Sequence, residues 1–330
     1  MRLRTAIAGS AFAIVASLAG SAVASQQMAA KAKAHPNGRV VFQANVGKFP
    51  QVFTIKPDGT GLKRITDVPP VDPGAENPSW SPDGSTIAFD AAVPSGVSIF
   101  TVPAGGGSPT QLPLGVGNFN GDPAYSPDGS QISFDQDVGE AAPTVHGIFI
   151  ANADGSNAHR LTTGLATKQS FDTESQWSPD GTMIAFTRVK NERQAAIFTV
   201  GIDGSGLTQL TPYRLDAASP DWSPNGKTIL YNTFWDSPGG KASNIYAILP
   251  SGRHPTALTH DHAGMDFFAA SFRPSWAPNG KRIVFSHVDF KGRSGTEGLY
   301  TMRPDGTHRK RVTHMSPKRF ATNPDWGTAP

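Results

Sequence analysis

The chain ends on "NPDWGTAP" (Asn323–Pro330), a stretch that begins like five earlier ones and stops where they continue. Those are "NPSWSPDGSTIAF" from Asn77, "GDPAYSPDGSQISF" from Gly121, "ESQWSPDGTMIAF" from Glu174, "SPDWSPNGKTILY" from Ser219 and "RPSWAPNGKRIVF" from Arg273. Aligned on the aromatic before each turn, the copies sit at Trp80, Tyr125, Trp177, Trp222, Trp276 and Trp326, on average about 49 residues apart. Such a period marks a repeat fold. Each full copy runs on into an apolar strand, a second run such as "SIFTVPAGG" or "GLYTMRPDG", and a short last segment such as "LTQLTP". Four strands per repeat follow.

Residues 39–66 read "RVVFQANVGKFPQVFTIKPDGTGLKRIT", which supplies strands two, three and four of a repeat without its first. The terminal "NPDWG" is a first strand without the rest. Joined, they complete a sixth unit, so the two ends of the chain must meet. The expectation is an all-β, six-bladed β-propeller of four-stranded blades over residues 38–330, closed by N- and C-terminal strands sharing one blade. Runs such as "TIAF" and "RIVF" suit strands buried on both faces between neighbouring blades. In "SPDG" the proline presets φ, the aspartate bonds locally and the glycine takes the left-handed conformation. Asp83, Asp128 and Asp180 repeat at this turn, but Asn225 and Asn279 replace them elsewhere. An amide serves a turn and cannot serve as a catalytic acid, so the position reads as structural.

Ahead of the repeats, "MRLRT" is basic, "AIAGSAFAIVASLAG" is apolar but short for a membrane span, and Ala22-Val23-Ala24 offers a small-x-small cleavage site. Residues 1–24 therefore read as a signal peptide and 25–37 as a linker. An uncleaved anchor is the alternative. The absence of cysteine excludes disulfides, thiol catalysis and a lipid-modified cysteine. The expected location is the periplasm or the exterior, with no stable membrane span. With 35 glycines and 28 prolines beside recurring apolar bursts, the chain reads as many tight turns between short strands. A net charge of +3 favours anionic partners. Export makes nucleic acid an unsuitable one and leaves cell-surface polymers or headgroups.

The unit "WSPDG…IAF…IFTV…DG…LT" closely resembles the WD-like repeat of the TolB-type propeller family, from Gly38 to the end. The resemblance implies an envelope scaffold or interaction module without catalysis. TolB proteins carry an α/β domain before the propeller, whereas here residues 25–37 alone stand between leader and first strand, so the likeness is to the propeller only. The same repeat also carries peptidase gates and some lyases.

Strand order places the second-to-third loops and the blade connections on one face, and these are the long, varied segments: residues 135–147, 187–196, 232–243 and 286–298. Recognition is expected there. The residue three before each aromatic enters from that mouth, giving Asn77, Asp122, Glu174, Ser219, Arg273 and Asn323, all polar. They form either a ring that grips a peptide, sugar or ion, or groups that simply face channel water. Phe234, Trp235, Phe267 and Phe268 suit a protein or carbohydrate partner, or fold inward as loop plugs. His260, His262, Asp266 and His314, with His146 and His287 from second-to-third loops, are candidates for a divalent metal. The basic run Arg309–Arg311 reads as a solvated edge. No GxSxG, HExxH, P-loop or dinucleotide fingerprint occurs. The reading is an exported module that binds a protein or peptide, with no required cofactor. A metal-assisted uronate lyase and a glycan-binding module are the alternatives.

Overall fold

The computed structural model describes residues 37–69, 73–115, 119–138, 145–165, 170–190, 194–234, 242–262, 267–291, 294–315 and 320–329. The chain divides into a unit of residues 1–33 and one of 34–330; residues 1–36, Trp235 and Asp266 lie outside the described residues. A 3-10 turn at Tyr213–Leu215 is the helical element among them, and everything else regular is strand.

The strands run as antiparallel sets of four, innermost to outermost, and the first three sets are joined into one 12-stranded sheet by single parallel pairings, Val97↔Phe119 and His146↔Phe171. The first set is β4 (Glu76–Trp80), β5 (Thr86–Val93), β6 (Gly96–Pro103) and β7 (Thr110–Gln111). The next group is β8 (Phe119–Tyr125), β9 (Gln131–Val138), β10 (Val145–Asn152) and β11 (His159–Arg160), and then β12 (Phe171–Trp177), β13 (Met183–Lys190), β14 (Gln194–Gly201) and β15 (Thr208–Gln209). After these come β16 (Ala217–Trp222), β17 (Ile229–Phe234), β18 (Ser243–Ile248) and β19 (Thr256–Ala257). β20 (Phe267–Trp276), β21 (Ile283–Lys291), β22 (Ser294–Met302) and β23 (Lys310–Arg311) follow. The remaining sheet draws on both ends of the chain: β24 (Ala321–Thr328) pairs with β1 (Asn37–Val46), which continues to β2 (Phe49–Ile55) and β3 (Lys63–Arg64). The register runs from Asn37↔Thr328 to Ala44↔Ala321.

Alternation along the second strand of each group explains the continuous apolar runs. Ile87 and Phe89 pack with Val41 and Val52 of β1 and β2, while Ala88 between them packs with Ile132 and Phe134 of β9. Ile184 and Phe186 likewise face Ile148 and Ile150, and Ala185 faces Ile229 and Tyr231. Each of these strands thus supplies apolar side chains to two neighbours, and the polar residues it carries, such as Asp90 and Ser133, are buried with them. The "SPDG" turns behave as expected. Gly84 has φ +71°, and the Asp83 carboxylate accepts from Ser81 Oγ (2.6 Å) and the Ser85 amide (3.0 Å). Asn225 accepts from Ser223 Oγ and the Lys227 amide in the same way.

The fourth strands are shorter than the sequence suggests, at two residues each. Their hold comes from the threonine of the "LT" pair. The hydroxyls of Thr66, Thr162, Thr211, Thr259 and Thr313 each accept the amide N–H of a third-strand residue or of one beside it, at 2.9–3.0 Å. These threonines are buried, so each bond satisfies a donor that water cannot reach. Thr211→Val removes the acceptor of the Ile197 amide at constant volume. We expect it to destabilise the protein by about 1–3 kcal/mol, read by urea unfolding; an unchanged midpoint would contradict this role.

Candidate functional site

At the entry of each innermost strand the ladder slips. Register shifts lie between Glu76 and Ser79, Gly121 and Ala124, Thr173 and Gln176, Ala218 and Asp221, and Phe272 and Ser275. The β1–β24 ladder slips between Val41 and Gln43. These are bulges, and each holds one of the residues three before the aromatic. Asn77, Asp122, Glu174, Ser219, Arg273 and Asn323 all adopt left-handed backbone, with φ between +47° and +55°. That conformation costs a non-glycine residue roughly 1–2 kcal/mol. Asn and Asp tolerate it best; Glu174, Ser219 and Arg273 have no such excuse. A proline follows at 78, 123, 220, 274 and 324, where a bulge leaves no ladder partner for the missing N–H.

The bulges turn these side chains inward, and all of them line one cavity of about 90 Å³. Neighbouring groups are stitched across it. The Ser219 amide donates to Glu174 Oε2 (2.8 Å), the Asn77 amide to Gln43 Oε1 (2.8 Å) and the Arg273 amide to Asn232 Oδ1 (3.0 Å). Asn323 Nδ2 donates to Asn77 Oδ1. One residue before the aromatic, Asp325 Oδ2 accepts the Trp80 amide (2.7 Å) and Asp221 Oδ2 the Trp276 amide (2.6 Å).

Charge in the cavity is lopsided: Asp122, Glu174, Asp221 and Asp325 face one guanidinium, Arg273, which pairs with Glu174 at 3.0 Å. Burial pushes Asp122 and Asp221 well above the usual carboxylate range, with the charges of Asp135 and Asp325 adding respectively. Asp325 is raised by the same burial. Burial pulls Arg273 down, but Glu174, Asp122 and Asp90 outweigh it and hold the guanidinium above its ordinary value. Behind the ring, Asp90 is pushed up to about 7, chiefly by burial and then by Glu76 and Asp135, against the bond from Asn77 Nδ2.

Beside this cavity lies a second of about 550 Å³, walled by Phe234, Phe268, Phe272, Phe290 and Phe320, with Arg273 and Glu297 as its charged residues. Phe234 and Phe268 were legible in the sequence; Phe272, Phe290 and Phe320 were not, because they stand apart in the chain and only the fold brings them together. The side chain of Phe267, like Trp235 and Asp266, lies outside the described residues.

The histidines do not converge. His260, His262 and His314 are exposed, and among the described residues no group of three or more His, Asp or Glu is placed to hold a metal. His146 and His287 sit in β10 and β21, not in loops. His146 Nε2 meets Asp135 Oδ2 at 2.9 Å, stacked on Phe171. Burial lowers its pKa, but Asp135 wins and holds it above its usual value. Ser271 Oγ lies 2.9 Å from His287 Nδ1 and donates to Asp261. Ser271 is fully buried, which denies that trio a substrate. Arg309 is not a free edge residue; it reaches Asp261 Oδ1 at 3.1 Å. No helix among the described residues is long and apolar enough to cross a membrane.

Comparison with known proteins adds the following. The family described as "TolB beta propeller domain" matches residues 73–264 and 115–329. An uncharacterized protein of Agrobacterium fabrum is 29% identical over 214 residues, 65% of this chain and 66% of the relative. A "Protein TolB homolog" of Chlorobium luteolum is 29% identical over 118 residues, 36% of this chain and 23% of the relative. The chain thus spans less than two thirds of either. The crystal structure of TolB from Acinetobacter baumannii superposes with a TM-score of 0.65 at 19% identity, covering 88% of this chain and 66% of that one.

The raised Asp90 carboxyl carries a sign. Its proton is held to about 7 in the fold against an ordinary 3.8, so its contribution is full below the ordinary value and is lost as pH rises through 7. Asp90→Asn should therefore lose less stability than wild type between pH 5 and pH 8 in urea unfolding. Parallel losses would refute the assignment.

Proposed function

Because the chain belongs to the TolB β-propeller family, we propose that it is an exported, non-catalytic module that binds a protein or peptide at the loop-rich mouth of a six-bladed ring. Residues 1–24 act as the signal peptide and 25–37 as a linker, placing the propeller over 38–330 in the periplasm or outside the cell. The reading of six blades is supported by the sixfold repeat of the aromatic-turn unit and by the sheet that β24 and β1 build together.

One observation carries the binding reading: the bulge residues of every innermost strand converge on a single acidic cavity, in a backbone conformation that Glu174, Ser219 and Arg273 adopt only under constraint. Strain of this kind gathers at functional sites. Long loops on a rigid scaffold then frame the entrance. Nucleic acid is not the partner, and no cofactor is required. For the lyase alternative, His260, His262 and His314 form no metal-holding group among the described residues.

Ser219→Arg tests the reading. The same backbone position already accepts arginine in the sister copy, as Arg273, so the fold should survive while the cavity is plugged. A protein or peptide captured from an envelope extract and crosslinked to the mouth loops should lose affinity by about tenfold or more. Retention of the same partner by the variant, or crosslinks confined to the "SPDG" face, would overturn the proposal.

A further inference from the structure

The fifth full repeat is built differently at the mouth. β20 runs for 10 residues, whereas β16 in the preceding unit has 6. The extra length pairs Phe268 with Phe290 and Ala270 with Val288. Alternation therefore sets Phe268, Ala270 and Phe272 on one face, opposite Phe234 at the end of β17 and Phe320 before β24. A pocket of about 550 Å³ results, a size typical of ligand sites. Phe234 and Phe268 are 40% and 38% exposed, which an isolated chain would normally avoid for two large apolar residues in one concavity.

Arg273 forms part of the wall of both this pocket and the acidic cavity. Its charge is already engaged by Glu174 at 3.0 Å. Asp122 shares that same cation, which leaves Asp221 and Asp325 on the cavity side held by the amides of Trp276 and Trp80 and by no cation among the described residues. Burial penalises their ionisation, and a positive group entering from the mouth would relieve that penalty. The neighbouring pocket offers the opposite chemistry, apolar walls with little to satisfy a polar group. An occupant that fits both must be apolar and cationic at adjacent points.

We propose that the mouth selects a peptide segment in which a large apolar side chain, inserted among Phe234, Phe268 and Phe290, lies next to a lysine or arginine side chain directed into the acidic cavity. The assignment rests on the peptide-binding reading above and narrows it to a partner class. Phe268 is a specificity determinant in this scheme, and Arg273 is the partition between the two subsites.

A random dodecapeptide phage library selected on the immobilised, folded chain provides the probe. The expected result is an enriched pattern of one large apolar residue within a few positions of Lys or Arg. Alanine in place of that apolar residue, or the double variant Phe234→Ser and Phe268→Ser, should each weaken binding by about tenfold or more. Both phenylalanines are partly exposed, so the variant should keep its melting temperature, which is measured alongside. Enriched peptides that lack the apolar–basic pair, yet lose binding on Ser219→Arg, would overturn this inference and leave mouth binding intact. Peptides whose binding the phenylalanine variant does not change would do the same. If no peptide is enriched over a blank surface, both readings fall.

Discussion

The pairing of β24 with β1 is the contact on which the architecture rests. Each strand group buries alternate residues against the group before it and the group after it, so a group without a neighbour would expose half of its core. Val40 and Phe42 are fully buried because Trp326 and Ala321 of the far end of the chain cover them together with Val284 and Leu299. The Asp325 bond to the Trp80 amide then ties that composite sheet to the next one. Without the terminal strand, β1 would present an open apolar edge.

Much of this was legible because the repeat solves the same local problem many times. The turn chemistry of Pro82, Asp83 and Gly84, the aromatic of each copy and the two half-repeats at the ends each have a local cause, and the structure keeps them. The fourth strand was legible as a segment but not as a two-residue ladder, because its hold is a threonine hydroxyl, a long-range partner that periodicity does not register. The polar positions from Asn77 to Asn323 were readable by alignment on the aromatic. Their left-handed bulges were not, although the proline that follows most of them was a visible signal. The phenylalanine pocket was half hidden for a different reason. Phe272, Phe290 and Phe320 come from three separate places in the sequence, β20, β21 and the residue before β24, and the fold alone brings them to one pocket.

The expected histidine cluster marks where sequence position misleads. His260 and His314 end comparable segments of successive repeats, with His262 in the loop after the first, yet comparable places in successive repeats are related by rotation and so stand apart. Only residues close to the axis converge under such a relation, which is why Asp122, Glu174 and Arg273 meet and the histidines do not. Convergence also sets the electrostatics. Carboxyl groups brought together near an axis repel, and burial removes the solvent that would screen them. Arg273 answers part of that repulsion through Glu174, and the hydrogen bonds from Trp80 and Trp276 answer part of the rest.

The antiparallel sense of the closing ladder has a mechanical meaning. Asn37 lies opposite Thr328, and Ala44 opposite Ala321, so the two chain ends leave the sheet from the same end of the ladder. A tension drawn between Asn37 and Thr328 would load the hydrogen bonds one pair after another, like a zip, and never all in parallel as in shear. The closing seam is therefore the part of the fold that such a pull loads first.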